Sequence, residues 1–148
     1  MPESVKLIFP TISPRIKSEE GEKFIWDSLR GKWLVLTPEE WVRRHVVEYL
    51  RRECGFAPQL IVEEHPVTIN GMAQRADIVV MGADLKPLMV VECKEPNVKI
   101  SEEVLRQVTR YNNVLRCRYI ALTNGITTYC YEHDGEKYNP INAFPHAK

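Results

Sequence analysis

Residues 75–94 read Arg75-Ala-Asp-Ile-Val-Val-Met-Gly-Ala-Asp-Leu-Lys-Pro-Leu-Met-Val-Val-Glu-Cys-Lys94. Two aliphatic, β-branched runs flank the breaker segment Gly82-Ala-Asp-Leu-Lys-Pro87, so the stretch reads as the two antiparallel strands of a hairpin. A turn centred between Asp84 and Leu85 sets position 77 opposite position 92. Side chains alternate along a strand, which puts Glu92 and Lys94 on one face and Val91 and Cys93 on the other. Apolar neighbours on both faces mark central strands covered on two sides. Two carboxylates directly across a ladder repel each other and are costly to bury. A divalent cation between Asp77 and Glu92 turns that cost into a binding site, and hard oxygen ligands suit Mg²⁺ or Mn²⁺. A lone Glu-x-Lys is more often an exposed strand-end lysine beside a cross-strand glutamate. The aspartate in matching register shifts the reading towards a metal-dependent phosphodiester-cleaving centre.

The rest of the chain sets bounds on that reading. Its 148 residues, 44% apolar and 27% charged, suit one soluble domain with a real core. No apolar run approaches the ~20 residues needed to cross a bilayer, and no signal peptide opens the chain. Cys54, Cys93, Cys117 and Cys130 are scattered without a Cys-x-x-Cys pair, which argues for a reducing cytoplasm and against zinc or a disulfide framework. Net charge is zero, so the chain is no generic nucleic-acid binder. The local clusters Arg43-Arg44, Arg51-Arg52 and Arg106, Arg110, Arg116 and Arg118 read mostly as solvated helix faces, with some free to line a DNA groove.

Residues 1–36 read as an N-terminal extension and 37–148 as the main domain. In the extension, Lys6–Phe9 is a candidate strand ended by Pro10, Lys17–Lys23 a polar loop, and Phe24–Leu36 a hairpin turning near Gly31. Thr37-Pro38-Glu39-Glu40 then announces a helix, with Thr37 as N-cap, Pro38 at the first helical position and Glu40 completing a capping box. Val42, Val46, Tyr49 and Leu50 keep helical spacing to a stop near Cys54-Gly55. A strand at 59–64 and the Asn70-Gly71 turn lead into the central hairpin. Ser101 caps a second helix to about Arg116, and strands 118–123 and 126–131 flank Asn124-Gly125. The polar tail after Asp134 reads as loosely ordered. Trp26, Trp33 and Trp41 read as core rather than interface. The order from residue 37 is helix, three strands, helix, two strands, an α/β fold with a mixed sheet.

That order, with Asp77 and Glu92-Cys-Lys94, resembles the PD-(D/E)xK nucleases, the restriction-endonuclease-like fold with an αβββαβ core. It is similar above all to the N-terminal domain of type I restriction enzyme R subunits and its stand-alone relatives. The runs that carry the likeness are Thr37-Pro-Glu-Glu-Trp-Val-Arg43, Arg75-Ala-Asp-Ile-Val-Val80, Val90-Val-Glu-Cys-Lys-Glu95, Gln107-Val-Thr-Arg-Tyr111 and Leu122-Thr-Asn-Gly125. The resemblance implies that Asp77 and Glu92 bind the metal, with the Cys93 carbonyl as a third ligand. It implies that Lys94 orients or deprotonates the attacking water. Gln107 and Tyr111 match a Gln-x-x-x-Tyr motif that contacts DNA or orients the catalytic groups; packing explains Tyr111 alone equally well. An early helix glutamate often faces the metal in this fold. Glu40 is the first choice here, with Glu39 and Glu48 as competitors, and its capping-box role explains it as well as catalysis does. The chain has Ala76-Asp77 where the motif name has Pro-Asp.

These features imply Mg²⁺-dependent cleavage of DNA in a restriction–modification setting. No Gly-x-x-x-x-Gly-Lys-Ser/Thr segment occurs, so an ATP-driven translocase or other restriction–modification subunits are expected as separate partners. Two rivals stand beside this reading. One is a catalytically weak nucleic-acid-binding or assembly module on a nuclease-like scaffold. The other is a nuclease for RNA or modified DNA, since fold does not fix substrate. A homodimer is left open.

Overall fold

A computed structural model describes residues 2–148. The chain runs β1 (Ile16–Glu19), β2 (Glu22–Asp27), β3 (Lys32–Val35), α1 (Pro38–Arg52), β4 (Ile61–Ile69), β5 (Met72–Met81), β6 (Pro87–Cys93), α2 (Glu102–Leu115), β7 (Tyr119–Thr123), β8 (Thr128–His133) and β9 (Tyr138–Ile141). β1–β2–β3 form a small antiparallel sheet, and β4 to β9 form a six-stranded sheet in sequence order. Every pairing in the large sheet is antiparallel except β6 with β7, whose parallel ladder α2 makes possible by crossing back over the sheet. This is the mixed α/β architecture of a restriction-endonuclease-like fold.

The central hairpin takes the expected register. Ile78 pairs with Val91, Val79 with Val90 and Val80 with Met89, before a bulge at Val80/Met81 leads into the turn. One step beyond Ile78 and Val91 lie Asp77 and Glu92. Val79, Val80, Val90 and Val91 are completely buried because a helix covers each face. On one side α1 packs Val42, Val46, Val47 and Leu50 over Ile78, Val80, Val91 and Cys93. On the other, Val108 and Tyr111 of α2 pack over Val79, Val90, Ile120 and Leu122.

Both strands of the β4–β5 ladder change face at one point. Glu63 pairs with Ile78 and His65 with Ala76, but Glu64, which stands opposite Asp77, makes no pair. Glu64 has φ +51°, a left-handed conformation uncommon outside glycine. Beyond it the alternation inverts: Ile78 packs on the α1 side, whereas Ala76 and Val67 pack on the α2 side. Asp77 sits at that crossover.

Four expectations need correction. Lys6–Phe9 is not a strand; Leu7 and Phe9 are buried as side-chain plugs, and Ile8 N–H donates to the Gly125 carbonyl at 2.8 Å. Gly125 is required there, since its φ is +86° and a Cβ would meet Leu7 Cδ2 at 2.7 Å. The polar stretch 17–23 is not all loop. β1 occupies its first part and turns into β2 at Glu20-Gly21, both with positive φ as a tight hairpin demands. An edge strand with no buried face has no apolar alternation to betray it. The tail is ordered for the same kind of reason: β9 pairs with β8, and Phe144 packs on Phe9 and Tyr49. Finally, the three tryptophans are not one cluster. Trp41 is buried and donates to the Val5 carbonyl, while Trp26 and Trp33 lie together on the outer face of the small sheet.

The small sheet is fastened to the main domain by charge. Arg43 and Arg44, which the sequence suggests are solvated, are buried. Arg44 pairs with Asp27 of β2 at 2.8 Å, with Glu40 at 3.0 Å and, in very close contact, with Glu63 of β4. Arg30, after β2, pairs with Asp27 at 2.6 Å and with Glu64 at 2.5 Å. Asp27 and the Glu63 side chain have no exposed surface. Removing one partner from such a network leaves an uncompensated buried charge, whose cost is about 3–5 kcal/mol. Arg44→Met is therefore expected to lower the unfolding free energy by at least about 3 kcal/mol in urea denaturation. A loss under 1 kcal/mol would mean that the network carries little of the fold.

Candidate metal and nuclease site

The site assembles where β5 and β6 part. Asp77 Oδ2 accepts the Cys93 N–H at 2.7 Å, so a side chain takes this N–H one step past the last paired residues, Ile78 and Val91. Lys94 N–H donates to the Thr123 carbonyl at 2.9 Å, which extends the β6–β7 ladder past Cys93 and fixes the Lys94 backbone. Asn124 Nδ2 donates to the Val98 carbonyl at 2.8 Å and pins the loop between β6 and α2.

Glu92 is 4% exposed, and its Oε2 is buried with no hydrogen-bond partner. Its carboxyl is pushed up to about 10, first by burial, then by its hydrogen bond to Asp77 and the Asp77 charge; Lys94 pulls the other way. Without a cation, burial beside Asp77 favours the protonated form of the Glu92 carboxyl. Cys93 points into the α1-side core and its fully buried thiol is held well above its ordinary value, so only its carbonyl is available as a ligand.

α2 brings the Gln-x-x-x-Tyr pair to the same place. Gln107 Nε2 donates to Tyr111 Oη at 3.2 Å. The Tyr111 phenol is raised by burial and next by the Glu92 charge, with a smaller push from Asp77. Asp77, Glu92, Lys94, Gln107 and Tyr111 thus lie within one electrostatic neighbourhood.

Glu40 does not join them. Its N–H donates to Thr37 Oγ1 at 3.0 Å, which is half of a capping box. The carboxylate does not complete the box, because it is committed to Arg43 and Arg44 one turn on, at the spacing where helix side chains meet. Glu48 is likewise taken by Arg51 and Arg52. The helix acid whose carboxyl feels the site's charges is the exposed Glu39: it is raised by desolvation and by Asp77, and lowered by Lys94. Arg43, for which the sequence suggests no role in the site, also feels the site's charge. It pairs with Glu40 and lies 3.8 Å from Glu64, and the Asp77 charge also favours its charged form. The pairing of Glu40 with Arg43 and Arg44 at three and four residues was the available hint.

Among the described residues, no three His, Cys, Asp or Glu side chains are gathered closely enough to hold a metal ion by themselves. The donor set is two carboxylates, one of them with an orphaned buried oxygen, so a hard cation with carbonyl or water ligands fits the residues present. None of the described helices is long and apolar enough to cross a membrane.

Residues 38–145 match the family described as the type I restriction enzyme R protein N terminus. The chain belongs to that family. Among solved structures, this R-protein N-terminal domain is similar to the fragment structure of a candidate HsdR subunit of a type I restriction enzyme from Vibrio vulnificus YJ016. The likeness has a TM-score of 0.59 and 22% identity over 75% of this chain. This chain spans only 24% of that one. A candidate nuclease belonging to DUF820 from Anabaena variabilis ATCC 29413 superposes on 91% of this chain and 80% of its own, with 12% identity and a TM-score of 0.49. No curated protein matches.

The raised Glu92 carboxyl has a thermodynamic signature. Below the ordinary value of 4.5 both folded and unfolded states carry the proton. Between there and about 10 the unfolded chain releases it while the fold retains it, so the folded state binds more protons and stability falls as pH rises. In chelator, urea midpoints are expected to drop from pH 6 to pH 9, and Glu92→Gln is expected to flatten that slope. An identical slope in the variant would show that the Glu92 carboxyl does not retain the proton.

Proposed function

We propose that this R-protein N-terminal domain is a Mg²⁺-dependent deoxyribonuclease. The observation that carries the proposal is the buried Glu92 against the half-buried Asp77, beside Lys94, with an unpartnered Glu92 oxygen. Two carboxylates forced together are unfavourable until a cation arrives, and the chain invests a strand crossover and a side-chain-for-ladder exchange in keeping them together. Asp77, Glu92 and the Cys93 carbonyl would hold Mg²⁺, with Mn²⁺ as a substitute. When bound, the ion would supply Lewis-acid stabilisation of the scissile phosphate and a lowered pKa for attacking water.

The chain's own groups do the rest. Lys94, on a backbone fixed by Thr123, offers an ammonium to the attacking water and to the charge that develops on phosphorus. Glu39, raised first by desolvation and then by Asp77, would hold a proton near that water. Gln107 fixes the Tyr111 hydroxyl and presents its own amide towards the phosphate backbone. The family supports a restriction–modification setting, with other restriction–modification subunits as partners.

The direct test is cleavage of plasmid and of single-stranded DNA by purified protein with Mg²⁺ or chelator. Wild type is expected to cut only with the metal, and Lys94→Ala to lose at least about a hundredfold while keeping its fold. Equal cleavage by both proteins would remove Lys94 from the chemistry. Mg²⁺ is also expected to raise the melting temperature of wild type and not of Asp77→Asn.

The two adjacent helix glutamates separate by readout. Glu39→Gln is expected to lower the cleavage rate about tenfold or more with little change in stability. Glu40→Gln is expected to cost stability first, because Arg43 and Arg44 lose their shared carboxylate. The reverse pattern, in rates and urea midpoints, would return the catalytic role to Glu40.

A further inference from the structure

The outer face of the small sheet carries a half-buried aromatic cluster. Lys17 pairs with Phe24, Phe24 with Val35, and Trp26 with Trp33, so these side chains share one face while Ile25 and Asp27 fill the other. Trp26 and Trp33 meet edge-on with centroids 5.1 Å apart. The Arg15 guanidinium lies over both rings, at 4.8 and 5.3 Å, and Lys17 Nζ lies 4.7 Å from the Trp33 ring. Val35, at the open end, is 47% exposed.

The face continues into a cleft of about 310 Å³ between Arg15 and Trp26 on one side and Arg51 and Arg52 of α1 on the other. Its lining is net positive, with Arg15, Arg44, Arg51 and Arg52 against the one carboxylate of Glu48. Among the described residues no carboxylate pairs with Arg15. Arg51 and Arg52 share the single carboxylate of Glu48, both at 2.9 Å, and Arg51 Nε lacks an acceptor. The acids of this sheet, Glu19, Glu20 and Glu22, gather at the far end beyond Phe24. Phosphates are therefore favoured at the cleft and disfavoured at the hairpin tip. All of the aromatic face lies before residue 38, where the family match begins.

We propose that this face and cleft form a second nucleic-acid contact, a stacking platform for single-stranded DNA separate from the Asp77–Glu92 site. The half-buried rings and the guanidinium planes over them accept the π-faces of unpaired bases, which a duplex hides in its stack, while Arg15, Arg51 and Arg52 hold the backbone. The zero net charge of the chain fits a local rather than a general affinity.

The test is fluorescence anisotropy with a labelled oligothymidylate in chelator, with tryptophan quenching as a second readout. Chelator keeps the measurement independent of cleavage, so the platform and the nuclease reading succeed or fail separately. Wild type is expected to bind the single strand more tightly than a duplex of equal length, with affinity that falls as salt rises. Arg15→Glu and Arg52→Glu, both exposed changes, are each expected to weaken binding about tenfold, and Trp33→Leu to weaken it and reduce the quenching. Circular dichroism melts check that each variant is folded, and the exposed charge changes remain informative if Trp33→Leu is not. No binding by wild type, equal binding by the folded arginine variants, or a preference for duplex would overturn the proposal. Tighter binding of the matched RNA would overturn its assignment to DNA.

Discussion

A buried carboxyl, Glu92, kept beside a second one, Asp77, at the cost of its ionisation is the constraint around which the rest of this molecule is arranged. Asp77 and Glu92 meet because the hydrophobic register of β5 against β6 leaves no choice: every other residue of the two strands near them is aliphatic and committed to one helix or the other. Slipping the register by one would send Val79, Val80, Val90 and Val91 to the wrong cores. Core packing thereby holds a charge arrangement that local electrostatics would disperse.

The second charged assembly has a different purpose. Asp27, Arg30, Glu40, Arg43, Arg44, Glu63 and Glu64 tie three elements distant in sequence, and they do so with four carboxylates against three guanidiniums. Arg43 belongs to this network and also feels Asp77. The left-handed Glu64 stands opposite Asp77 and lends its carboxylate to Arg30. The scaffold that carries the small sheet and the site that carries the chemistry therefore share residues at a single strand crossover.

Much of this was legible in the sequence, and the reasons for the rest are specific. The hairpin, its register, both helices and their caps follow from aliphatic periodicity and from Thr37, Ser101 and the Asn-Gly turns. β1 and β9 did not show, because edge strands with wet faces lack alternation. The choice between Glu39 and Glu40 was closed to sequence reasoning, since adjacent helix positions differ by about 100° of rotation and only the arginines one turn on decide which points where. Buried arginines were also invisible from composition, because their acids lie far away in the chain. No local pattern announces a non-glycine residue at positive φ such as Glu64.

One consequence concerns where this domain begins. The family match starts at Pro38, yet Arg44 has a full complement of partners only when Asp27 is present. A chain cut at that boundary would keep the shared fold's strands and helices but leave Arg44 without Asp27, and Glu63 and Glu64 without Arg30. Homology and self-sufficiency thus end at different residues, and transplanting the catalytic scaffold into another protein requires carrying the Asp27–Arg30 hairpin with it.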